Sequence, residues 1–208
     1  MLNITHILQS HGQIISLLII AAIIFTESGI LLGFFLPGDT LLFTAGFFAS
    51  KHYISIYALI PVVILSEVIG AALGYYIGNK TGHKLFTRKD SFFFRKEYLD
   101  KTGKFYSKNG GKAVILAQFL PVVRTFSPVI AGFSDMAYKR FAVFNFIGAF
   151  FWATVIPILG YQLGHKINNI DKYILPIIVI TIVISFAPAL YHLFGHSLKK
   201  PKKPTTTS

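Results

Sequence analysis

Apolar residues fall into long runs along this chain, separated by short polar gaps. Ile14–Leu36, Ile54–Gly78, Phe141–Gly164 and Tyr173–Leu198 are each near the roughly 20 residues a helix needs to cross a bilayer core. Thr40–Ala49 is apolar but too short to cross alone. Ala113–Phe133 is apolar but interrupted by Gln118, Pro121, Arg124 and Pro128. Within Phe25–Phe48 the run carries Glu27 and Asp39 and is cut by Pro37-Gly38, which a straight spanning helix has no use for. The pattern therefore predicts two broken, re-entrant segments. Non-helical backbone at membrane depth needs shelter by protein or a wet cavity, because every N–H and C=O requires a partner. Ile54–Gly78 is itself interrupted by Pro61 and Glu67, and places Gly70, Gly74 and Gly78 on one helix face, where another helix can approach closely.

Composition agrees with that setting. The chain has 208 residues, 53% hydrophobic and 13% charged, with a mean hydropathy of +0.61. These values belong to an integral membrane protein rather than a soluble domain. One membrane domain is expected over residues 1–198, followed by a disordered basic tail, 199–208. Met1–Gln13 lacks the basic n-region of a secretory signal, so the run after it reads as retained. There is no cysteine, which removes disulfides, thiolate chemistry and Cys-based metal sites.

The net charge of +12 lies in the gaps between apolar runs, a distribution that suits a membrane surface and not nucleic acid. Asn79–Lys112 holds ten Lys or Arg, against Asp90, Glu97 and Asp100, with Phe92, Phe93 and Phe94 among them. By the positive-inside rule this segment and the tail with Lys199, Lys200, Lys202 and Lys203 are cytoplasmic. Two crossings must then separate them, so Ala113–Phe133 enters and turns back while Phe141–Gly164 and Tyr173–Leu198 cross.

The two halves, about 14–80 and 111–166, repeat each other. Phe35-Leu36-Pro37 recurs as Phe119-Leu120-Pro121 at an offset of 84. Ala45-Gly46-Phe47 recurs as Ala131-Gly132-Phe133, and Gly74–Lys80 as Gly160–Lys166, both at an offset of 86. With the charge argument this predicts an inverted repeat, two re-entrant hairpins each followed by a transmembrane helix, plus a C-terminal transmembrane helix. Binding sites in such folds lie near the midplane.

Glu27, Leu36-Pro37-Gly38-Asp39, Phe119-x-Pro121-x-x-Arg124, Ala131-Gly132, Asn145, Gly148 and Trp152 resemble the motifs of the DedA family, part of the wider VTT-domain superfamily. The resemblance covers about Phe25 to Gly164. It implies a multi-pass bacterial inner-membrane protein linked to the return of undecaprenyl phosphate, to phospholipid scrambling, and to proton-dependent envelope roles. The family's acidic pair falls on Glu27 and Asp39, and one of its arginines on Arg124. Gln118 stands where proton-dependent relatives carry a second arginine.

Chemistry points to the same residues. A phosphate headgroup crossing hydrocarbon needs its charge matched, and a guanidinium offers a planar fork of donors that stays ionised. Broken helices add N–H donors at their N-termini, so Gly38 and its neighbours join Arg124, Glu27, Asp39 and Gln118 as the candidate substrate site. A carboxylate at low dielectric tends to take up a proton, which makes Glu27, Asp39 and Glu67 candidates for proton coupling. Glu67 has no counterpart in the second half, where the offset gives Ala153, and reads as structural or water-facing. Trp152 reads as membrane-facing or packing. His192 and His196, four apart, lack further ligands and read as surface residues, so no metal and no cofactor is expected. With no HExxH, GxSxG, P-loop or GxGxxG pattern, the expectation is a transporter of an anionic lipid carrier, not an enzyme. Its partners are membrane lipids, protons and further copies of itself. The alternatives are a proton-coupled transporter of small cations or drugs, and a non-transporting scaffold for membrane assembly.

Overall fold

The computed structural model describes residues 4–30, 38–86, 110–134 and 136–166. The run Tyr173–Leu198, the tail, His192, His196 and most of the basic segment lie outside these residues. So do Pro37 and the six residues before it. Everything described lies in one unit, residues 1–168.

Every regular element among the described residues of that unit is a helix. In chain order the helices are α1 (Ile4–Gly29), α2 (Gly38–Ala49), α3 (Ile56–Phe86), α4 (Gly111–Ala117), α5 (Pro121–Phe133) and α6 (Tyr138–Lys166). Three of them contain stretches long and apolar enough to cross a membrane: Gly12–Gly29, Ile56–Thr81 and Tyr138–Lys166. With the composition, these spans make the protein an all-α integral membrane protein. At a rise of about 1.5 Å per residue α2 and α5 reach only about 20 Å, too little to cross a core of about 30 Å.

Three boundaries differ from the sequence expectation. The first helix starts at Ile4, not Ile14, and ends at Gly29, well before Pro37. Near its end α1 packs closely on α3: a Cβ at Gly29 would meet the Gly70 backbone, and a Cβ at Gly70 would meet that of Phe25. Neither Pro61 nor Glu67 interrupts α3, and Pro128 and Pro157 likewise lie inside α5 and α6. In apolar surroundings neighbouring helices stabilise a proline-containing helix that water would fray. Finally, α3 continues to Phe86, so the basic segment read as beginning at Asn79 opens as helix.

The short helices are exchanged between halves. From the first half, α2 packs along α6; from the second, α5 packs along α3. Glycines make both contacts possible. A side chain at Gly46 would run into the Pro157 carbonyl and one at Gly160 into that of Phe43; one at Gly132 would strike the Tyr75 carbonyl and one at Gly78 that of Val129. Backbones this close are the signature of small-residue packing in membranes.

Two apolar clusters result. One joins Ile20, Ile24, Leu42, Leu59, Val63 and Trp152; the other joins Ala71, Tyr75, Val114, Ala131 and Phe141. On α3, Glu67 stands one turn from Val63 and one turn from Ala71, between the clusters. On α6, Asn145 stands likewise between Phe141 of one cluster and Trp152 of the other. A polar layer therefore lies sandwiched between two apolar ones.

Candidate functional site

Arg124 is the centre of that layer. Pro121 occupies the first turn of α5, where its missing N–H costs nothing, and Arg124 follows one turn later with its N–H bonded to the Leu120 carbonyl at 2.8 Å. Its side chain is 2% exposed, among the largest fully buried groups described. Nη1 donates to Asp39 Oδ1 at 2.8 Å and Nη2 donates to Glu27 Oε1. The flat guanidinium lies 4.0 Å from the centroid of the Trp152 ring. Trp152 Nε1 in turn donates to Asp39 Oδ1 at 2.7 Å, so one carboxylate oxygen accepts from both.

Each partner is placed by its own helix. Glu27 is in the last turn of α1, buried, its carboxylate lying over Gly38; any side chain at Gly38 would overlap it. Asp39 is in the first turn of α2, where the helix dipole favours a negative charge. It is the accessible member, with its side chain 35% exposed. Trp152 stands at the middle of the 29-residue span of α6, and Glu67 lies close to the middle of the 26-residue span of α3. The layer is thus level with the middles of α3 and α6 and with the end of α1.

Gln118, at the end of α4, faces a second buried network. Its Nε2 donates to Glu67 Oε1 at 2.7 Å and to Asn145 Oδ1 at 2.8 Å. Gly148 leaves room for this side chain, since a Cβ there would meet Gln118 Cγ. Glu67 is completely buried, which corrects the water-facing reading. Three oxygens in the layer, Glu27 Oε2, Glu67 Oε2 and Gln118 Oε1, have no hydrogen-bond partner among the described residues.

The structure thus brings Glu27, Asp39, Gly38 and Arg124 together, and sets Gln118 and Glu67 in the adjoining network. Of the two readings of Trp152, membrane-facing or packing, it bears out packing: the indole is buried in the apolar cluster and is also bonded to the ion pair, a contact the sequence reading did not contain. A signal for this was present. Asn145, Gly148 and Trp152 are spaced three and four apart, so the only tryptophan and a lone amide share one helix face with a glycine between them.

Three carboxylates and one guanidinium share this layer, a formal +1 − 3 = −2 if all are ionised. Charge so far from water is tolerated where groups pair with one another, and intramembrane ionisable groups of this kind mark ion and substrate pathways. By fold and site, then, the chain is a polytopic helical membrane protein with a charged layer held between two interlocked halves. It belongs to the DedA family: the VTT domain matches residues 36–162. It is similar to the protein DedA of Escherichia coli K12, 40% identical over 180 residues covering 86% of this chain and 82% of the relative. An uncharacterized membrane protein of Mycobacterium leprae is 41% identical over 171 residues, 81% of this chain and 75% of the relative. The inner membrane protein YqjA of Escherichia coli K12 is 29% identical over 146 residues, 70% of this chain and 66% of the relative. No solved structure matches the chain.

Proposed function

We propose that the protein is a transporter, not an enzyme, that carries the phosphate headgroup of an anionic lipid across the bacterial inner membrane, undecaprenyl phosphate being the substrate this reading favours. The observation that carries it is Arg124: a buried guanidinium level with the middles of α3 and α6, held by carboxylates from α1 and α2 and by the ring of a tryptophan on α6. A phosphate matches the same planar fork of donors that two carboxylates occupy here. In this reading Glu27 and Asp39 are stand-ins that hold the arginine while the site is empty. Proton uptake by either weakens its hold and frees the fork for the headgroup. Access is by way of Asp39, the partly exposed member. The first turns of α2 and α5, which meet at the Asp39–Arg124 contact, add the positive ends of two helix dipoles. α2 and α5, too short to cross, are the inner arms of two hairpins dipping from opposite leaflets, with the basic segment and the tail cytoplasmic.

The excess of carboxylates supports a second reading, a proton-coupled transporter of small cations. Reconstitution into liposomes holding labelled undecaprenyl phosphate and a labelled neutral lipid, at two pH values, separates the two. The lipid-phosphate reading expects selective, pH-dependent movement of the phosphate lipid, abolished in Arg124→Gln protein that still folds. Equal movement of both lipids means scrambling, and movement of neither overturns the proposal. A cation flux that follows the proton gradient without phosphate selectivity favours the second reading.

A further inference from the structure

The Glu67–Gln118–Asn145 network lies beside the ion pair, and none of its members is hydrogen-bonded to Arg124 among the described residues. Its charge and hydrogen bonding are both incomplete. Glu67 is completely enclosed and Gln118 is 3% exposed. Among the described residues Glu67 Oε1 accepts one hydrogen bond, from Gln118 Nε2, while Glu67 Oε2 and Gln118 Oε1 accept none. The Ser28 hydroxyl of α1 faces Glu67 as one further possible donor, but it forms no hydrogen bond to Oε2 within normal geometry. The charged groups that face Glu67 are Arg124 from α5, already shared by two carboxylates, and Glu27 from α1, which repels it; α6 and the end of α4 present neutral amides. The site is short of donors and long of acceptors. A proton on a carboxylate converts an acceptor into a donor and removes a buried charge in one step.

The two amides are suited to receive that proton. With Glu67 ionised, both N–H bonds of Gln118 Nε2 are used, one to Glu67 at 2.7 Å and one to Asn145 at 2.8 Å. A half-turn of the Gln118 amide puts Oε1 where Nε2 stands, in reach of an O–H on Glu67 Oε1. A half-turn of Asn145 presents Nδ2 to the same oxygen. Both contacts survive and only the sense of donation reverses, because the two ends of a side-chain amide differ in donor and acceptor character but hardly in shape. An arginine at 118 has donors only and could not make this reversal.

We propose that Glu67 is a second proton-binding site, separate from the Arg124 ion pair, and that Gln118 and Asn145 reverse their amides when it is occupied. Gln118 lies six residues before Arg124 across the α4–α5 turn, and Asn145 lies two turns before Trp152 on α6. The proton site therefore adjoins the helix that carries the guanidinium and the helix whose indole stacks on it. The ligand is the proton, and the inference does not depend on which molecule is carried.

The test is infrared difference spectroscopy of the purified full-length protein in nanodiscs, titrated with acid in H2O and D2O. The wild type is expected to show a carboxylic C=O band that shifts in D2O, and Glu67→Gln to lose one carboxyl's share of it while Glu27→Gln keeps that share. In Gln118→Leu, which retains Glu67 but removes the accepting oxygen, the Glu67 band moves to higher frequency. Trp152, the only tryptophan, reports by its emission whether each variant keeps its core. A folded Glu67→Gln protein with undiminished band intensity overturns the proposal. Should that variant fail to fold, an unshifted band in Gln118→Leu overturns it instead. No transport is measured, so failure of the lipid-phosphate reading and failure of the proton site are separate results.

Discussion

Gly46 of α2 and Gly132 of α5 stand 86 residues apart and do the same thing: each lets a short helix press its backbone against a carbonyl of the other half's long helix, Pro157 on α6 or Tyr75 on α3. The reciprocal contacts repeat too, with Phe43 against Gly160 and Val129, 86 residues later, against Gly78. Gly160 pairs by the repeat with Gly74, so the second half's register is shifted by four residues, one helical turn. Charge follows no such repetition. The positions 86 residues after Glu27, Asp39 and Glu67 are Ala113, Thr125 and Ala153, and the position 86 before Arg124 is Gly38. Packing between the halves is duplicated, whereas each half holds only one sign of the charged core. Neither half can keep its buried charge without the other.

The strongest test of that asymmetry is Arg124→Met. Removing one partner of a buried ion pair leaves Glu27 uncompensated, an expected loss of about 3–5 kcal/mol in unfolding free energy, measured by thermal or denaturant unfolding in detergent. Adding Glu27→Gln should recover much of it, because the orphaned charge is then gone. If the double variant is no better than the single, the halves are not coupled through charge. Next in size is the glycine pair. A methyl at Gly46 or Gly132 is forced onto backbone that cannot move aside, so each alanine variant is expected to lose about 1–3 kcal/mol. The two losses should match within experimental scatter in the same unfolding assay. A large loss at one and none at the other would end the claim that the packing is duplicated.

The comparison also explains what could be read from the chain beforehand. Apolar runs locate α3 and α6, and the tripeptide repeats locate the glycines that exchange the short helices, because both are local patterns. Arg124, Glu27 and Asp39 stand out since ionised groups in apolar runs are rare. Pro37 is the conspicuous breaker in the run, yet α1 ends eight residues earlier at Gly29, which packs on Gly70 of another element. Prolines 61, 128 and 157 look like breaks but are tolerated inside helices. The partners of Glu67 and Trp152 are not legible in the sequence for a related reason. Burial of a carboxyl against an amide 51 residues away, or of an indole against a carboxylate 113 residues away, is a tertiary fact that helical periodicity does not contain.

A smaller effect isolates the tie between Trp152 and the charge. Trp152→Phe keeps most of the apolar contact with Leu42 and Leu59 but removes the Nε1–H donor to Asp39 and weakens the face on which the guanidinium rests. About 1 kcal/mol is expected, since Asp39 is partly solvated and replaces the lost donor with water. Read in the same unfolding assay, a loss as large as that of Arg124→Met would mean the indole, and not the pair of carboxylates, is what holds the arginine.

The least effect, and of opposite sign, belongs to a glycine outside the repeat. Gly12 lies on α1 with nothing within 4 Å of where a Cβ would stand, and it is exposed. Alanine there meets no neighbour and removes backbone freedom from the unfolded chain, so Gly12→Ala should be neutral or stabilise by up to about 1 kcal/mol. Set beside Gly132→Ala, this separates two reasons for glycine in a membrane helix, close approach at one position and none at the other. Were Gly12→Ala to destabilise as much as Gly132→Ala, glycine content by itself, and not contact between the halves, would govern stability, and the duplicated packing would lose its energetic meaning.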